Sequence, residues 1–482
     1  MPQTPDASSA SSVPLVVDLD GTLIKTDMLW EHLVRLLRKN PFAMFAVLSW
    51  WLRGRAFLKQ QLVRRVTVDA STLPFHEPFL AWLKEQKASG RKLILATASD
   101  LQMATPVAER AGIFDEVLAS DGRTNLRSRN KLKALTEKFG DRGFDYAGNS
   151  TADIAVWDGC RQAVVVNASA GLARRAGRHV AVAKIFEPSA GFLPAIVRCL
   201  RPHQWVKNLI IFAPIVAAHK LNDTALLVRD LEAFVLFCLG ASGVYIMNDL
   251  LDLDADRRHT SKRNRPLASG TLPIQAGLFL APILLAAALG GAFWLPTPFP
   301  AVMAGYMILT IAYSLRIKRV VLLDVFFLAG LYTIRLIGGH AATGIVYSAW
   351  LLMFSMFIFL SLALVKRYVE LAEKKEDDAP IAGRGYEAGD LEIVASLGTG
   401  SGFLAALVLA LYVNSEQVTT LYAHPNLLLL VCPLLLYWVS RVWLLAHRRL
   451  LHDDPVLFAV KDPTSYVIGI LALAVLWLAA AH

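Results

Sequence analysis

The chain has 482 residues, 55% of them hydrophobic, with 49 Lys and Arg against 39 Asp and Glu for a net charge of +10, and its mean hydropathy of +0.45 excludes an ordinary soluble domain. The positive charge does not argue for nucleic acid, because Lys and Arg sit in short segments between apolar stretches, where cytoplasmic retention and anionic lipid or phosphate account for them. Cys160, Cys199, Cys238 and Cys432 are scattered without CxxC spacing, which argues against a zinc site or a disulfide framework and for buried thiols.

In chain order, residues 1–12 (MPQTPDASSASS) read as a disordered tail with no secretory signal. Residues 13–182 have a soluble α/β pattern: short β-branched runs at PLVVDLD, KLILATAS and AVVVNA alternate with helical stretches such as PFLAWLKEQKASG. Residues 183–205 read as a linker or interfacial segment. From 206 to 482 the chain is dominated by nine apolar stretches of near-bilayer length, at 206–220, 230–248, 274–296, 299–315, 320–339, 347–365, 393–413, 425–446 and 464–481. If the first domain is cytoplasmic, the segments 249–273, 316–319, 366–392 and 447–463 lie on its side and hold most of the Lys and Arg beyond residue 206, as the positive-inside rule expects.

The first domain carries its own chemistry. In VVDLDGT (16–22), Asp18 and Asp20 leave a hydrophobic strand at the carboxyl edge of a parallel sheet, and Gly21 permits a tight turn. Asp18 is placed to attack phosphorus; Asp20 is placed to protonate the leaving alkoxide and later activate water. LATASD offers the Thr97 hydroxyl to a phosphoryl oxygen, Lys131 neutralises the transferring group, and Asn149 and Asp153 in YAGNSTAD join Asp18 and Asp20 around Mg²⁺. In order and spacing these four motifs resemble the haloacid dehalogenase (HAD) phosphatase superfamily. The resemblance implies a Rossmann-like α/β domain with a small helical cap (residues 25–90), an aspartyl nucleophile and a magnesium shell. The chain departs from the family at Asn149, where an acid is usual, so a degenerate, structural domain stays open. Within the cap, PFAMFAVLSWWLRGR (41–55) is too short to span a bilayer but rich in Trp and Phe, and is expected to be an interfacial patch that lets the domain meet a lipid-borne phosphate.

The end of the second stretch, NDLLDLDADRRHTSKRNRPLASG (248–270), is the other chemical landmark. On a continuing helix Asn248, Asp252 and Asp256 recur every four residues, Asp249 shares their sector and Asp254 points away. Such hard oxygen donors suit Mg²⁺, and Lys262 and Arg265 follow in a basic loop, so a metal-chelated diphosphate is the expected occupant. This arrangement resembles the first aspartate-rich motif of the UbiA superfamily of intramembrane transferases, which implies an all-α bundle of nine transmembrane helices. Where that superfamily usually has a second pair of aspartates, this chain has Tyr313, Lys318 and Asp324. With RPHQWVKN (201–208) and NRPLASG (264–270), the pattern resembles the polyprenyl-phosphate phosphoribosyltransferase branch.

That resemblance implies transfer of 5-phosphoribose from phosphoribosyl diphosphate (PRPP) to a polyprenyl phosphate, with Asp252 and Asp256 catalytic. Lys207, Lys262, Arg265, Tyr313, Lys318, Asp324, Lys366 and Arg367 are the candidates for binding the donor and the lipid head group. It implies Mg²⁺ in both domains, a bacterial cytoplasmic membrane and removal of the 5-phosphate by the fused HAD-like domain. Prenyl transfer to a soluble or aromatic acceptor, and a transporter or lipid-binding scaffold, are the alternatives.

Overall fold

The computed structural model describes residues 13–120, 125–188, 191–374, 385–415, 418, 421–451 and 454–480. The expected disordered tail, and His452 and Asp453 of the last cytoplasmic segment, lie outside these. The chain packs as two compact units, one running to Leu200 and including Tyr245–Ala281, the other made of Arg201–Val244 and Pro282–His482.

The first unit is built on a six-stranded, all-parallel sheet in the order β3-β2-β1-β4-β5-β6, with β1 Leu15–Val17, β2 Leu93–Asp100, β3 Glu116–Ser120, β4 Asp145–Gly148, β5 Ala163–Val166 and β6 Val182–Phe186. The short β-branched runs become its inner strands because both faces are covered, and side chains alternate between two cores. Leu15, Val17, Leu93 and Leu95 enter one core, with Phe79, Leu83, Met103 and Val107 of flanking helices. Val16, Ile94 and Ala96 enter the other, with Tyr146, Val156 and Trp157. Chain order reverses at β1, so its carboxyl end opens into the crevice where a parallel sheet binds ligands.

Between β1 and β2 three cap helices form: α1 Met28–Lys39, α2 Ala43–Leu52 and α3 Arg55–Val63. Helix α1 starts where Asp27 accepts the Leu29 amide at 2.8 Å, and it ends on Arg38 and Lys39, charges that suit the negative end of the helix. Helix α2 is apolar on nearly every side, yet Phe42, Phe45, Leu48, Trp51 and Leu52 are exposed, Leu52 at 81%. Trp50 instead packs on the cap core under the Arg65 guanidinium, which lies 4.5 Å from its ring.

Eight helices among the described residues are long and apolar enough to cross a membrane: Thr224–Leu251, Ile274–Ala292, Pro298–Leu315, Leu323–Thr343, Ala349–Glu373, Leu391–Val413, Pro425–His447 and Pro463–Ala480. They correspond to eight of the nine expected stretches. The first, 206–220, instead forms a 3₁₀ segment, Pro202–Phe212, and a five-residue helix, Ala213–Ala217, so the count of nine was approximate. Lys207 and Asn208, both buried, account for this: each needs a polar partner that lipid does not supply. Asn208 accepts from Arg335 Nε at 2.8 Å, and the segment comes so close to helix Leu323–Thr343 that a Cβ on Gly339 would lie 2.0 Å from the Ile211 carbonyl oxygen.

Small residues allow similar approach elsewhere in the second unit. A Cβ on Gly398 would lie 2.0 Å from the Trp443 ring, and one on Gly402 would lie 2.4 Å from Val439. Ser361 of helix Ala349–Glu373 joins those two helices, donating to the Gly398 carbonyl and accepting from Trp443 Nε1. Cys160, Cys199 and Cys238 are buried free thiols and Cys432 is half-buried.

Candidate active sites

The carboxyl end of β1 delivers Asp18 to the floor of a cavity of about 700 Å³. Its amide is tied to the Ala147 carbonyl of β4 at 3.0 Å, so the nucleophile candidate rides on the sheet itself. Lys131 donates to Asp18 Oδ1 at 2.7 Å and to the Tyr146 hydroxyl at 2.8 Å; that hydroxyl in turn donates to Asp153 Oδ1 at 2.8 Å. Asp153 Oδ2 accepts from the Asn149 and Ser150 amides and from Ser150 Oγ, which closes the 149–153 turn around it. Burial pushes the Asp18 carboxyl up to about 7; Lys131 opposes this, while Asp153 and Asp20 add to it.

Asp20 is held as a positioned acid should be, accepting from the Met28 amide at 2.9 Å and from Ser99 Oγ at 2.7 Å. Gly21 has φ +76°, and a Cβ there would lie 2.0 Å from Asn149 Nδ2, so the glycine both permits the turn and leaves room for the amide. Among the described residues Lys131 alone is bonded to balance Asp18, and the carboxylates of Asp18 and Asp153 with the Asn149 amide are oxygen donors of the kind that suit Mg²⁺. Thr97 is fully buried, and its hydroxyl accepts from the Ser99 amide at 3.0 Å. The hydroxyl of β2 that reaches an acid at the site is that of Ser99. Sequence reading missed it, although Ser99 lies two residues beyond Thr97 and on the same side of the strand. Lys59 of α3, which lines the cavity and donates to the Ala98 carbonyl at 2.6 Å, was missed as well, because nothing local marks a cap lysine.

The aspartate-rich segment also belongs to the first unit. The long helix breaks at Asp252, which caps the short helix Leu253–Arg258, but i to i+4 backbone bonds carry through from Asp252 to Asn248 and from Asp256 to Asp252. Asp249 and Asp256 therefore share a face, and Arg265 Nη1 joins them at 3.0 and 2.6 Å. Burial raises the Asp256 carboxyl, against the pull of Arg265. Among the described residues no three acid, His or Cys side chains are grouped to hold a metal ion; at this face the guanidinium stands between the acids. Lys262 is exposed in the following turn.

Asp254 faces the other way, as its spacing predicts, and meets Arg35 of α1. Beside it Arg257 grips Glu31 with two bonds, at 2.7 and 3.0 Å. Glu31 is fully buried; burial alone would raise it, but Arg257 and Arg35 outweigh that and hold it at about 2. No sequence signal paired these residues, which are 226 positions apart.

In the second unit Lys207 and Lys366 both donate to Asp454 Oδ2, at 2.8 and 3.2 Å. Asp454, outside the candidates drawn from sequence, is pushed up by burial but pulled well below the usual carboxylate range by the two ammonium groups. Lys207 also lies 5.8 Å from the centre of the Tyr332 ring. Arg367 and Asp324 are paired at 2.6 Å and fully buried, with the Tyr386 hydroxyl donating to Asp324 at 2.7 Å. Tyr313 lies within electrostatic reach of Arg367, Lys366 and Asp324, whereas Lys318 sits half-buried in a separate turn, Ile317–Arg319. Lys207 and Lys366 are thus brought together, and Arg367 is turned inward.

Comparison with known proteins divides the chain by sequence into two families, and the aspartate-rich segment, which packs with the first unit, falls within the second match along the chain. The UbiA prenyltransferase family matches residues 209–461, and the haloacid dehalogenase-like hydrolase family matches residues 15–157. The uncharacterized protein y4nM of Sinorhizobium fredii is 38% identical over 465 residues, covering 95% of this chain and 89% of that protein. Nodulation protein NoeC of Azorhizobium caulinodans is 38% identical over 284 residues, 58% of this chain and 91% of NoeC. The decaprenyl-phosphate phosphoribosyltransferase of Mycolicibacterium smegmatis is 36% identical over 205 residues, 40% of this chain and 64% of that enzyme.

Proposed function

The chain belongs to the UbiA prenyltransferase family and carries an N-terminal haloacid dehalogenase-like domain, and on that premise we propose that it is a two-step enzyme of the bacterial cytoplasmic membrane with the first domain on the cytoplasmic side. In the first step an oxygen of a polyprenyl phosphate attacks C1 of PRPP; the bond from C1 to the diphosphate breaks and pyrophosphate leaves. The nucleophile is already anionic, so positioning and charge neutralisation replace a strong general base. Lys207 and Lys366 neutralise phosphate in this reading, and Asp454 holds both ready. Asn248, Asp249, Asp252 and Asp256 are the residues that would hold Mg²⁺, with Arg265, bonded to Asp249 and Asp256, beside them, and the ion would supply charge stabilisation for the departing diphosphate.

In the second step Asp18 attacks the 5-phosphate of the lipid-linked ribose. The bond between phosphorus and the ribose oxygen breaks, Asp20 gives that oxygen its proton, and Asp20 then takes a proton from the water that cleaves the aspartyl phosphate. Lys131 and Ser99 hold the phosphoryl group and the acid in place, and Asp18, Asn149 and Asp153 would hold the metal. The products are polyprenyl-phosphoryl ribose and inorganic phosphate.

The observation that carries the transfer step is the pair of ammonium groups on one carboxylate, Lys207 and Lys366 on Asp454, in a family member similar to phosphoribosyltransferases. The test is incubation with Mg²⁺, radiolabelled PRPP and polyprenyl phosphate. Label enters the lipid fraction with the native enzyme and not with Asp252→Ala. Labelling from a prenyl diphosphate onto a soluble acceptor, with none from PRPP, would overturn this reading in favour of ordinary prenyl transfer.

A further inference from the structure

The cavity above Asp18 is far larger than a phosphate needs, and one of its walls does not come from the haloacid dehalogenase-like domain. Gly270, Thr271, Pro273, Ile274 and Gln275 line it together with Asp18, Lys59 and Asn149. These residues end the aspartate-rich segment and begin the membrane-spanning helix Ile274–Ala292.

The wall is built rather than incidental. Arg257 Nε donates to the Ala268 carbonyl at 3.0 Å, Thr271 Oγ1 to the Pro266 carbonyl at 3.2 Å, and the Leu272 amide to the same carbonyl at 2.9 Å. Gly270 has φ +73° and presses on the catalytic loop so closely that a Cβ would lie 2.6 Å from Lys25 Cβ. On the same helix end, Trp30 of cap helix α1 packs edge-on against Phe279 at 6.3 Å. The cavity therefore reaches from Asp18 to the first turn of a helix long and apolar enough to cross a membrane, and the next cap helix, α2, presents Phe45, Trp51 and Leu52 to the surroundings.

We propose that this cavity takes a sugar phosphate still attached to its membrane lipid, and that the Gly270–Gln275 segment is the wall that selects it over a soluble phosphate ester. The inference rests on the phosphatase step proposed above and names the segment that selects its substrate. A soluble ester needs only the floor of the cavity. A lipid-linked sugar must enter past the start of the membrane helix, where Thr271 and Gln275 supply polar contacts to the part between sugar and lipid.

Two measurements on the full-length protein in lipid nanodiscs test this. Thr271→Cys, combined with Cys432→Ser and with Asp18→Asn to stop turnover, is alkylated with a maleimide. At a concentration about four times its Kd or more, polyprenyl-phosphoryl 5-phosphoribose slows alkylation at least about fivefold, as occupancy of the site requires, whereas ribose 5-phosphate at equal concentration leaves the rate unchanged. Separately, Gln275→Ala in an otherwise native chain raises KM for the lipid-linked substrate about fivefold with kcat within about twofold, the mark of a lost binding contact. Absence of protection, or a fall in kcat alone, while the native enzyme still hydrolyses the lipid-linked substrate, overturns the wall and keeps the phosphatase reading. Protection without hydrolysis by the native enzyme overturns the phosphatase reading and keeps the wall.

Discussion

Two regions of the first unit hide a carboxylate from water, and they treat it in opposite ways. At the cavity floor Asp18 is bonded to one lysine and has Asp153 and Asp20 nearby, and its carboxyl is pushed up to about 7. At the foot of the cap Glu31 is bonded to both Arg257 and Arg35, the latter shared with Asp254, and is held at about 2. Burial alone would raise both; the balance of neighbouring charge decides which way each group goes. The comparison separates chemistry from architecture: in the proposed reading the under-neutralised acid is the one that takes a metal and attacks phosphorus, and the over-neutralised one pins two parts of a chain together.

The strongest way to break the comparison is at the reactive end. Asp18→Asn is expected to lower phosphate release by about 10³-fold or more, since it removes the nucleophile, and to accumulate 5-phosphorylated polyprenyl-phosphoryl ribose, read by mass spectrometry of the lipid extract. An unaltered final product would end the two-step scheme.

At the architectural end, Glu31→Gln leaves the buried Arg257 guanidinium without its anion and Arg35 with Asp254 alone. A loss of about 3 kcal/mol, the range for breaking one side of a buried pair, should appear as a fall of several degrees in the apparent unfolding temperature. Because the native value of about 2 lies below the ordinary 4.5, this stabilisation is complete above 4.5 and is lost as the pH falls toward 2. Melting curves of the native and variant proteins should therefore converge on acidification; a gap that widens would reverse the assignment.

Asp18 has the opposite sign. Its native value of about 7 lies above the ordinary 3.8, so without metal its contribution is most favourable below 3.8 and is lost as the pH rises through 7. Mg²⁺ must displace that proton, so the affinity of the native protein for Mg²⁺ should fall about tenfold for each pH unit below 7 and level off above it. Titration calorimetry at several pH values reads this slope, and a flat profile would mean that Asp18 is already ionised. The smallest effect belongs to the exposed helix α2. Joint replacement of Phe45 and Trp51 by Ser should reduce hydrolysis of the lipid-linked substrate about threefold relative to a soluble ester, and equal losses on both would remove any role at the bilayer.

Much of this was legible in the sequence for reasons of spacing. The two-residue step from Asp18 to Asp20, the strand before it and the later Lys131 and Asp153 predict one site, because alternation along parallel strands brings those ends to one edge. The four-residue recurrence likewise predicts that Asp249 and Asp256 share a face and that Asp254 turns away. The nine-span reading failed only at 206–220, where Lys207 and Asn208 found partners inside the protein. The Ser99 hydroxyl lies in the same LATASD stretch that offered Thr97 and was within reach of a parity argument from it; the pairing of Asp454 with Lys207 was not, because 247 positions separate them.

Composition and period alone determined that a soluble α/β domain precedes a set of apolar helices, and which carboxylates each would offer, because hydrophobic periodicity and turn chemistry act over a few residues. Only the tertiary structure decided what surrounds those carboxylates: that Arg265 bridges two of them, that Arg257 ties the aspartate-rich segment to Glu31 of the cap, and that Gly270 closes a wall of the cavity over Asp18. Such neighbours come from distant parts of the chain, and a buried charge takes its character from whichever of them the fold brings within a few ångströms.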